Sequence, residues 1–274
     1  MNKLNRTEQA QIIAALVEGN SINSTVRMTG VSKVTILKLL AALGPACADY
    51  QDRALRNLKC KRIQVDEIWQ FVYAKEKNVP KKLKGQFGYG DVWTWVAIDA
   101  ETKLVPSFMT GNRDARSAKM FIDDLASRLN HRVQLTSDGL KVYLEAVEGA
   151  FGADIDYAML VKTYAASQEE TRYSPAVCTS CESKPVMGRP DPKHISTSYV
   201  ERQNLTMRMS MRRFTRLTNG FSKKVENHAY AVAVHYMHYN FCRIHRTLRV
   251  TPAMEAGISD HIWTVEEMLE KSGI

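Results

Sequence analysis

The segment RIQVDEIWQFVY, residues 62–73, constrains the fold most, because its apolar residues recur at every second position. Ile63, Val65, Trp69, Phe71 and Tyr73 fall on one side, interrupted only by Glu67, while Gln64, Asp66 and Gln70 fall on the other. Period two over this length predicts a β-strand. Two more strands follow in VWTWVAIDA and KLVPSFMTG, across a basic, glycine-containing turn. SAKMFIDDLASRLN then reads as a helix, VQLTSDGL as a strand, YLEAVEGAF as a helix and YAMLVKTYA as a strand. Strand, strand, strand, helix, strand, helix, strand, helix is the order of an α/β mixed sheet with helices packed on it. Residues 167–193 are polar and rich in Ser, Thr and Pro, and read as an inserted loop. Helices are expected at 195–218, 223–241 and 263–271.

Three shorter helices precede the sheet. TEQAQIIAALVE and SINSTVRMTG are followed by VSKVTILKLLAAL, in which Ser32 is placed to cap; the glycine at position 30 allows a tight turn before it. This is a helix-turn-helix pattern, whose last helix would present Lys33, Thr35 and Lys38 to the major groove of DNA. A plain helical bundle is the competing reading of the same three helices. Residues 1–45 are therefore expected to form a DNA-binding domain and 46–61 a linker, with a catalytic domain over 62–258 and a helical tail over 259–274. The net charge of +9 favours an acidic partner, nucleic acid being the commonest. Five cysteines at irregular spacing do not read as a disulfide framework. No window approaches the roughly 20 apolar residues of a membrane span, and the start has no signal-peptide pattern. A cytoplasmic protein is expected.

Three acids stand out. Asp66 lies mid-strand on the polar side; Asp138 ends the fourth strand in LTSDG; Glu201 heads a segment that then turns basic. From Arg202 to Val225 there are seven Lys and Arg and no Asp or Glu. The first and fourth strands can be neighbours in a sheet of this order, and a helix crossing the sheet would bring Glu201 beside them. Carboxylates about 4 Å apart repel by roughly 4 kcal/mol per pair at an effective dielectric near 20, so such a cluster requires cations or protons. Hard divalent ions such as Mg²⁺ suit an all-oxygen site, and a pair of them serves phosphodiester chemistry. On a continuous helix over 195–218, His194, Glu201, Arg208 and Arg212 fall within about 20° of one line, apart from an apolar stripe of Val200, Met207, Met211 and Phe214. The acid and the arginines would then serve one bound strand. A solvated charged face is the plainer alternative, and Glu67 or Asp91 competes with Asp66.

VDEIW, TSDGLKVY and YVERQNLTMRMSMRRFTRLTNGFSKKVENH resemble the three catalytic blocks of bacterial DDE transposases, most closely the insertion sequence one family; YNFCRIHRTLRVTPAMEAGI resembles the end of many such enzymes. The resemblance implies a ribonuclease H-like domain, two Mg²⁺ ions (or Mn²⁺ in their place) and DNA strand cleavage followed by strand transfer. It implies Asp66, Asp138 and Glu201 as the metal-binding triad, and Arg208 and His194 as the family's basic residue and histidine, with Arg212 and Arg213 as further DNA contacts. Element ends and target DNA would be the partners, bound by a homodimer or larger assembly on the bacterial nucleoid. The Asp138–Glu201 interval is longer than the family's, which marks 167–193 as an insertion, and the cysteine-rich finger of some members is missing. A catalytically silent DNA-binding regulator and a nuclease without joining activity are the alternatives.

Cys178 and Cys181 form half of a zinc motif without a second half at convincing spacing. His228, His235 and His238 share a helical face but read as packing or phosphate-contact positions. Trp69, Trp93 and Trp95 read as core anchors of the sheet.

Overall fold

β1 (Arg62–Val72) is the spine of the molecule because both of its faces are covered. In this computed structural model, which describes residues 4–164, 178–215 and 218–274, it pairs antiparallel with β2 (Gly90–Asp99) and parallel with β4 (Gln134–Ser137). β3 (Phe108–Gly111) extends the sheet beyond β2, β5 (Asp156–Tyr164) beyond β4, and β6 (Cys178–Met187) closes that edge. The order is β3-β2-β1-β4-β5-β6, antiparallel at both ends and parallel across β1, β4 and β5. This is the mixed, ribonuclease H-like sheet flanked by helices that the resemblance implies.

Alternation along β1 separates two helical layers rather than core from water. Val65 faces α4 (Ala115–Arg128) and α5 (Val142–Phe151) in a cluster with Trp95, Phe121 and Tyr143. Ile68 faces α6 (Ser198–Ser210) and α7 (Val225–Phe241) in a second cluster with Val96, Val200, Met207 and Tyr236. The polar side of the strand is thus buried. Gln64 is 3% exposed, and its Oε1 accepts from the backbone N–H of Tyr199 and Val200 at 2.8 and 3.2 Å. A strand side chain therefore satisfies two of the orphan donors at the start of α6.

The sequence expectation of one helix over 195–218 is corrected. α6 ends at Ser210, Met211 is extended, and Arg212–Phe214 is a 3₁₀ turn. The break arises because the Thr215 hydroxyl donates to the Arg208 carbonyl at 3.2 Å, and the turn folds Phe214 back beside Met207. Val200, Met207, Met211 and Phe214 all enter the core as the apolar stripe required. His194 lies in another 3₁₀ turn, Pro192–His194, so neither it nor Arg212 shares a helical line with Glu201.

The linker expected at 46–61 is helical for half its length. After α1 (Arg6–Val17) and α2 (Ile22–Thr29), α3 runs from Lys33 to Ala54 with Pro45 inside it. α2 and α3 meet at 115°, across Gly30 at φ 71°. α3 packs on α7 at close range: a Cβ on Gly44 would sit 2.3 Å from that of Tyr230. Gln51 donates to the Ala233 carbonyl and accepts from Asn240, both at 3.2 Å. Ile13, Leu40 and Leu43 belong to the same apolar cluster as the sheet. The short helices α8 (Pro252–Glu255) and α9 (Val265–Lys271) complete this layer.

The polar stretch 167–193 is a loop only in part. Its described portion from Cys178 to Met187 is β6, paired with β5 from Tyr157 to Tyr164 and exposed along its length except at Met187; residues 165–177 lie outside the described residues. Cys178 and Cys181 are exposed free thiols, and no further ligand gathers with them among the described residues. Of the three tryptophans read as core anchors, only Trp95 is fully buried; Trp69 and Trp93 are partly exposed. No single described helix is long and apolar enough to cross a membrane.

His228 and His235 are buried in α7, where desolvation, aided by Arg213 beside His228 and by His238 and Arg243 beside His235, pushes each imidazole down to about 3. Among the described residues, neither ring nitrogen of His235 has a hydrogen-bond partner. An unfolded histidine protonates near about 6.5, so between that pH and about 3 the unfolded chain holds more protons. Stability therefore falls as pH drops through this window. Urea unfolding of His235→Phe at pH 4, 5 and 6 should show an acid limb shallower by up to roughly 1.4 kcal/mol per pH unit; a slope equal to wild type refutes the assignment.

Candidate active site

Asp66 sits four residues into β1, opposite Val96 of β2, and Asp138 immediately follows the last residue of β4. Because β1 and β4 run parallel with Gln64 beside Thr136, their chains deliver the two acids to one place. The structure brings Asp66, Asp138 and Glu67 together, with one ligand oxygen of each within 4.8 Å of the others. Glu67 was the residue that broke the apolar alternation of the strand. That break was its one sequence signal.

The three carboxylates differ in freedom. Both oxygens of Glu67 are occupied: Arg113 Nε donates to Oε1 at 2.7 Å and the Tyr143 hydroxyl to Oε2 at 3.1 Å. Arg113 comes from the turn before α4, held there in part because Trp95 Nε1 donates to the Asn112 carbonyl at 3.0 Å. Its guanidinium lies over the Trp93 ring, 4.8 Å from the centroid, and 4.0 Å from the nearer oxygen of Asp138. Asp138 accepts from the Leu140 backbone N–H at 3.0 Å, which fixes the turn after β4. Among the described residues, Asp66 accepts one side-chain hydrogen bond, from Asn204 Nδ2 of α6 at 2.8 Å.

The electrostatics follow. Burial pushes the Asp66 carboxyl up, the charges of Glu67 and Asp138 add to this, and its value reaches about 8. Glu67 is also raised, by burial and by Asp138, against the opposing pull of Arg113 and Tyr143. Burial and the same carboxylates hold the Tyr143 phenol well above its usual range, so it remains a donor. Such a cluster carries more negative charge than its own donors relieve, and its ligand atoms are all oxygen. That fits a hard divalent cation.

Glu201 stands beside this group and outside it. Its charge still reaches Asp66, but its carboxylate is bonded to Lys162 Nζ of β5 and accepts from the Thr197 hydroxyl at 2.5 Å. The sequence placed three acids in one cradle; the structure gathers Asp66 and Asp138, adds Glu67, and leaves Glu201 at the rim on a lysine. Lys162, Arg113, Tyr143 and Asn204 carried no sequence signal, each being an ordinary residue until the fold brings it in.

The basic residues divide similarly. His194 bonds Arg62 through Nδ1 at 2.5 Å, at the opening of β1 rather than beside the carboxylates. Arg208 donates to the Phe214 carbonyl at 3.3 Å. Arg213 donates to the Ser222 hydroxyl at 2.7 Å, and burial lowers its value to about 10. Exposed Arg212 and Lys33 meet across a cavity of about 220 Å³ that Lys223 also lines. Lys38 is exposed on α3, and the Thr35 backbone N–H donates to the capping Ser32 hydroxyl at 3.2 Å.

No family model matches the chain, and no curated protein matches it. Among solved structures it is similar to piggyBac transposase in a synaptic complex with hairpin DNA, at 10% identity and a TM-score of 0.41, covering 99% of this chain and 71% of that one. It is similar also to the Mos1 mariner transposase in a paired-end complex with Mn, at 12% identity and a TM-score of 0.28, covering 86% and 77%. These likenesses are loose.

Asp66→Asn removes the ionisable group whose raised value opposes folding above about pH 4. In metal-free buffer at pH 7 the variant should be more stable by at least about 1 kcal/mol, or roughly 2–4 °C in melting temperature for a chain of this size. Mg²⁺ or Mn²⁺ should raise the wild-type midpoint and move that of the variant less. Identical melting of both proteins with no response to either ion would remove the cation from the site.

Proposed function

We propose that this chain is a DDE-type DNA transposase of the insertion sequence one kind, which cuts DNA at element ends and joins the exposed 3′-hydroxyl to target DNA. The observation that carries the reading is the convergence of Asp66 and Asp138 from parallel neighbouring strands into an acidic cluster short of positive charge. The three sequence blocks and the basic run after Glu201 support it.

Asp66 and Asp138 would hold divalent cations, Mg²⁺ or Mn²⁺, with Glu201 as the third carboxylate. When bound, such ions lower the barrier by activating an attacking oxygen and neutralising the charge that develops on the leaving one. Asn204 orients Asp66 by its 2.8 Å bond. Arg113 and Tyr143 occupy Glu67, which therefore shapes the field and leaves coordination to its neighbours. Lys162 neutralises Glu201 in the resting chain, and the Glu201 side chain is 46% exposed. A pair this open to water is worth about 0–1 kcal/mol, so exchanging Lys162 for a cation is cheap. Arg208 and exposed Arg212 follow Glu201 and would meet phosphates of the strand being cut, while Arg213, partly buried on the Ser222 hydroxyl, would hold the turn that presents them. Lys33, Thr35 and Lys38 would contact a duplex at the N-terminal helices, which take the helix-turn-helix role in recognising element ends. His194, tied to Arg62, would contact DNA at the opening of β1. An assembly of at least two chains on DNA in the cytoplasm follows from an element having two ends.

A descendant that binds DNA without cutting it is the second reading, and the position of Glu201 outside the cluster favours it. Cleavage and joining assays on duplex DNA decide between them. Wild type should nick and join in Mg²⁺, and Asp138→Ala and Glu201→Gln should each lose on the order of 10³-fold, about 4 kcal/mol of transition-state stabilisation. DNA binding without metal-dependent cleavage by wild type supports the regulator, and cleavage without joined product supports a nuclease.

A further inference from the structure

On the flank of α6 turned away from the carboxylates there is a second concentration of charge. With residues about 100° apart round the helix, Tyr199, Arg202, Gln203 and Thr206 form one face, and Glu201 lies roughly 150° from its centre. That face lines a cleft of about 370 Å³ against the end of α7 and the turn after it. Five basic side chains line the cleft, Lys103, Arg202, Arg243, His245 and Arg246, and no Asp or Glu does so among the described residues.

The cleft is built before any ligand arrives. The turn is closed by backbone hydrogen bonds from His245 to Val250 at 2.9 Å and from Leu248 and Arg249 to His245 at 3.1 and 2.9 Å, with Arg249 at φ 66°. Arg243 donates to the Ser210 hydroxyl at 2.8 Å. Lys103 is fixed between the Ala100 carbonyl and the Tyr199 ring, 3.5 Å from its centroid. Its nearest acids, Asp99 and Glu101, lie outside the lining, and Glu101 takes Arg62 at 2.9 Å. Arg202 and Arg246 are exposed and form no ion pair with a described carboxylate. Burial foremost, with the charges of Lys103, Arg243 and Arg202 added, holds His245 below its ordinary value. Tyr199, 43% exposed, and Ile244, 52% exposed, give the rim apolar surface beside the charges.

Planar guanidinium donors suit phosphate, and a rim mixing charge with apolar surface suits a sugar–phosphate chain better than a lone anion. We propose that this cleft seats the phosphodiester backbone of DNA on the side of α6 opposite the carboxylates, with Arg202 and Arg246 as its phosphate contacts. The proposal rests on the reading of the chain as a DNA-processing protein, but it concerns binding and needs no divalent ion.

The test is a salt titration of duplex binding by fluorescence anisotropy in metal-free buffer, with a labelled duplex of arbitrary sequence. Removing one arginine–phosphate interaction should lower the slope of log K against log salt by about 0.9, so Arg202→Gln with Arg246→Gln should lower it by nearly 2 whatever the sequence. Arg202→Lys with Arg246→Lys should keep most of the slope, and Lys119→Gln, an exposed lysine paired with Asp123, should leave it at the wild-type value. A double variant with the wild-type slope overturns the proposal. A reduced slope that the lysine variant does not restore, or that accompanies a lowered melting temperature, assigns these arginines to structure and also overturns it. Inorganic phosphate that binds wild type but not the double variant, with duplex binding unchanged, makes this a free-anion site and overturns it as well. If the double variant shows the reduced slope while wild type never cleaves DNA in Mg²⁺, the cleft stands and the transposase reading falls.

Discussion

The docking of α6 on β1 is the contact on which the site depends. Two polar side chains make it, on either side of the apolar seal formed by Val200 and Met207. Gln64 caps the start of the helix, and Asn204 reaches back to Asp66. All three hydrogen bonds are buried or partly so, where an unmet donor or acceptor costs about 1–3 kcal/mol, so the helix has one position along the strand rather than several. That position puts Glu201 within the field of Asp66. The geometry of the carboxylate cluster and the folding energy thus rest on the same contacts.

Much of this was legible in the sequence because the signals were periodic. The alternation over 62–73 gave the central strand, and the 3.6-residue stripe of Val200, Met207, Met211 and Phe214 marked the face that seals α6, even though the helix breaks before its last two members. What escaped was not periodic. β6 buries almost nothing, so it has no hydrophobic pattern and exists through backbone pairing with β5. The end of α6 is set by one hydroxyl, Thr215, on one carbonyl. Gly44 and Pro45 look like a helix end, yet the glycine is there to let Tyr230 approach, and the helix continues for nine residues past the proline to Ala54.

The site was half legible for a related reason. Acids at matching register on neighbouring strands can be anticipated from topology, and Asp66 and Asp138 each lie two residues past the Gln64–Thr136 pair. Their partners cannot, because Arg113, Tyr143, Lys162 and Asn204 come from four separate elements and become informative only in space. Glu67 is the intermediate case. An acid on the apolar side of a strand is anomalous enough to notice, and the anomaly is resolved by an arginine and a phenol that satisfy both oxygens.

Taken together, α6 divides two fields of opposite sign. One flank adjoins an acidic cluster that excludes phosphate by charge until cations neutralise it, and the opposite flank adjoins a cationic cleft that attracts phosphate without them. A polyanion approaching the resting chain is therefore drawn to the arginines first and repelled from the carboxylates. Under the proposed function, binding would precede chemistry, and a divalent ion would be required for the second step alone. The surface pair of Lys162 with Glu201 fits that order, since it neutralises at low cost the acid proposed as the third ligand.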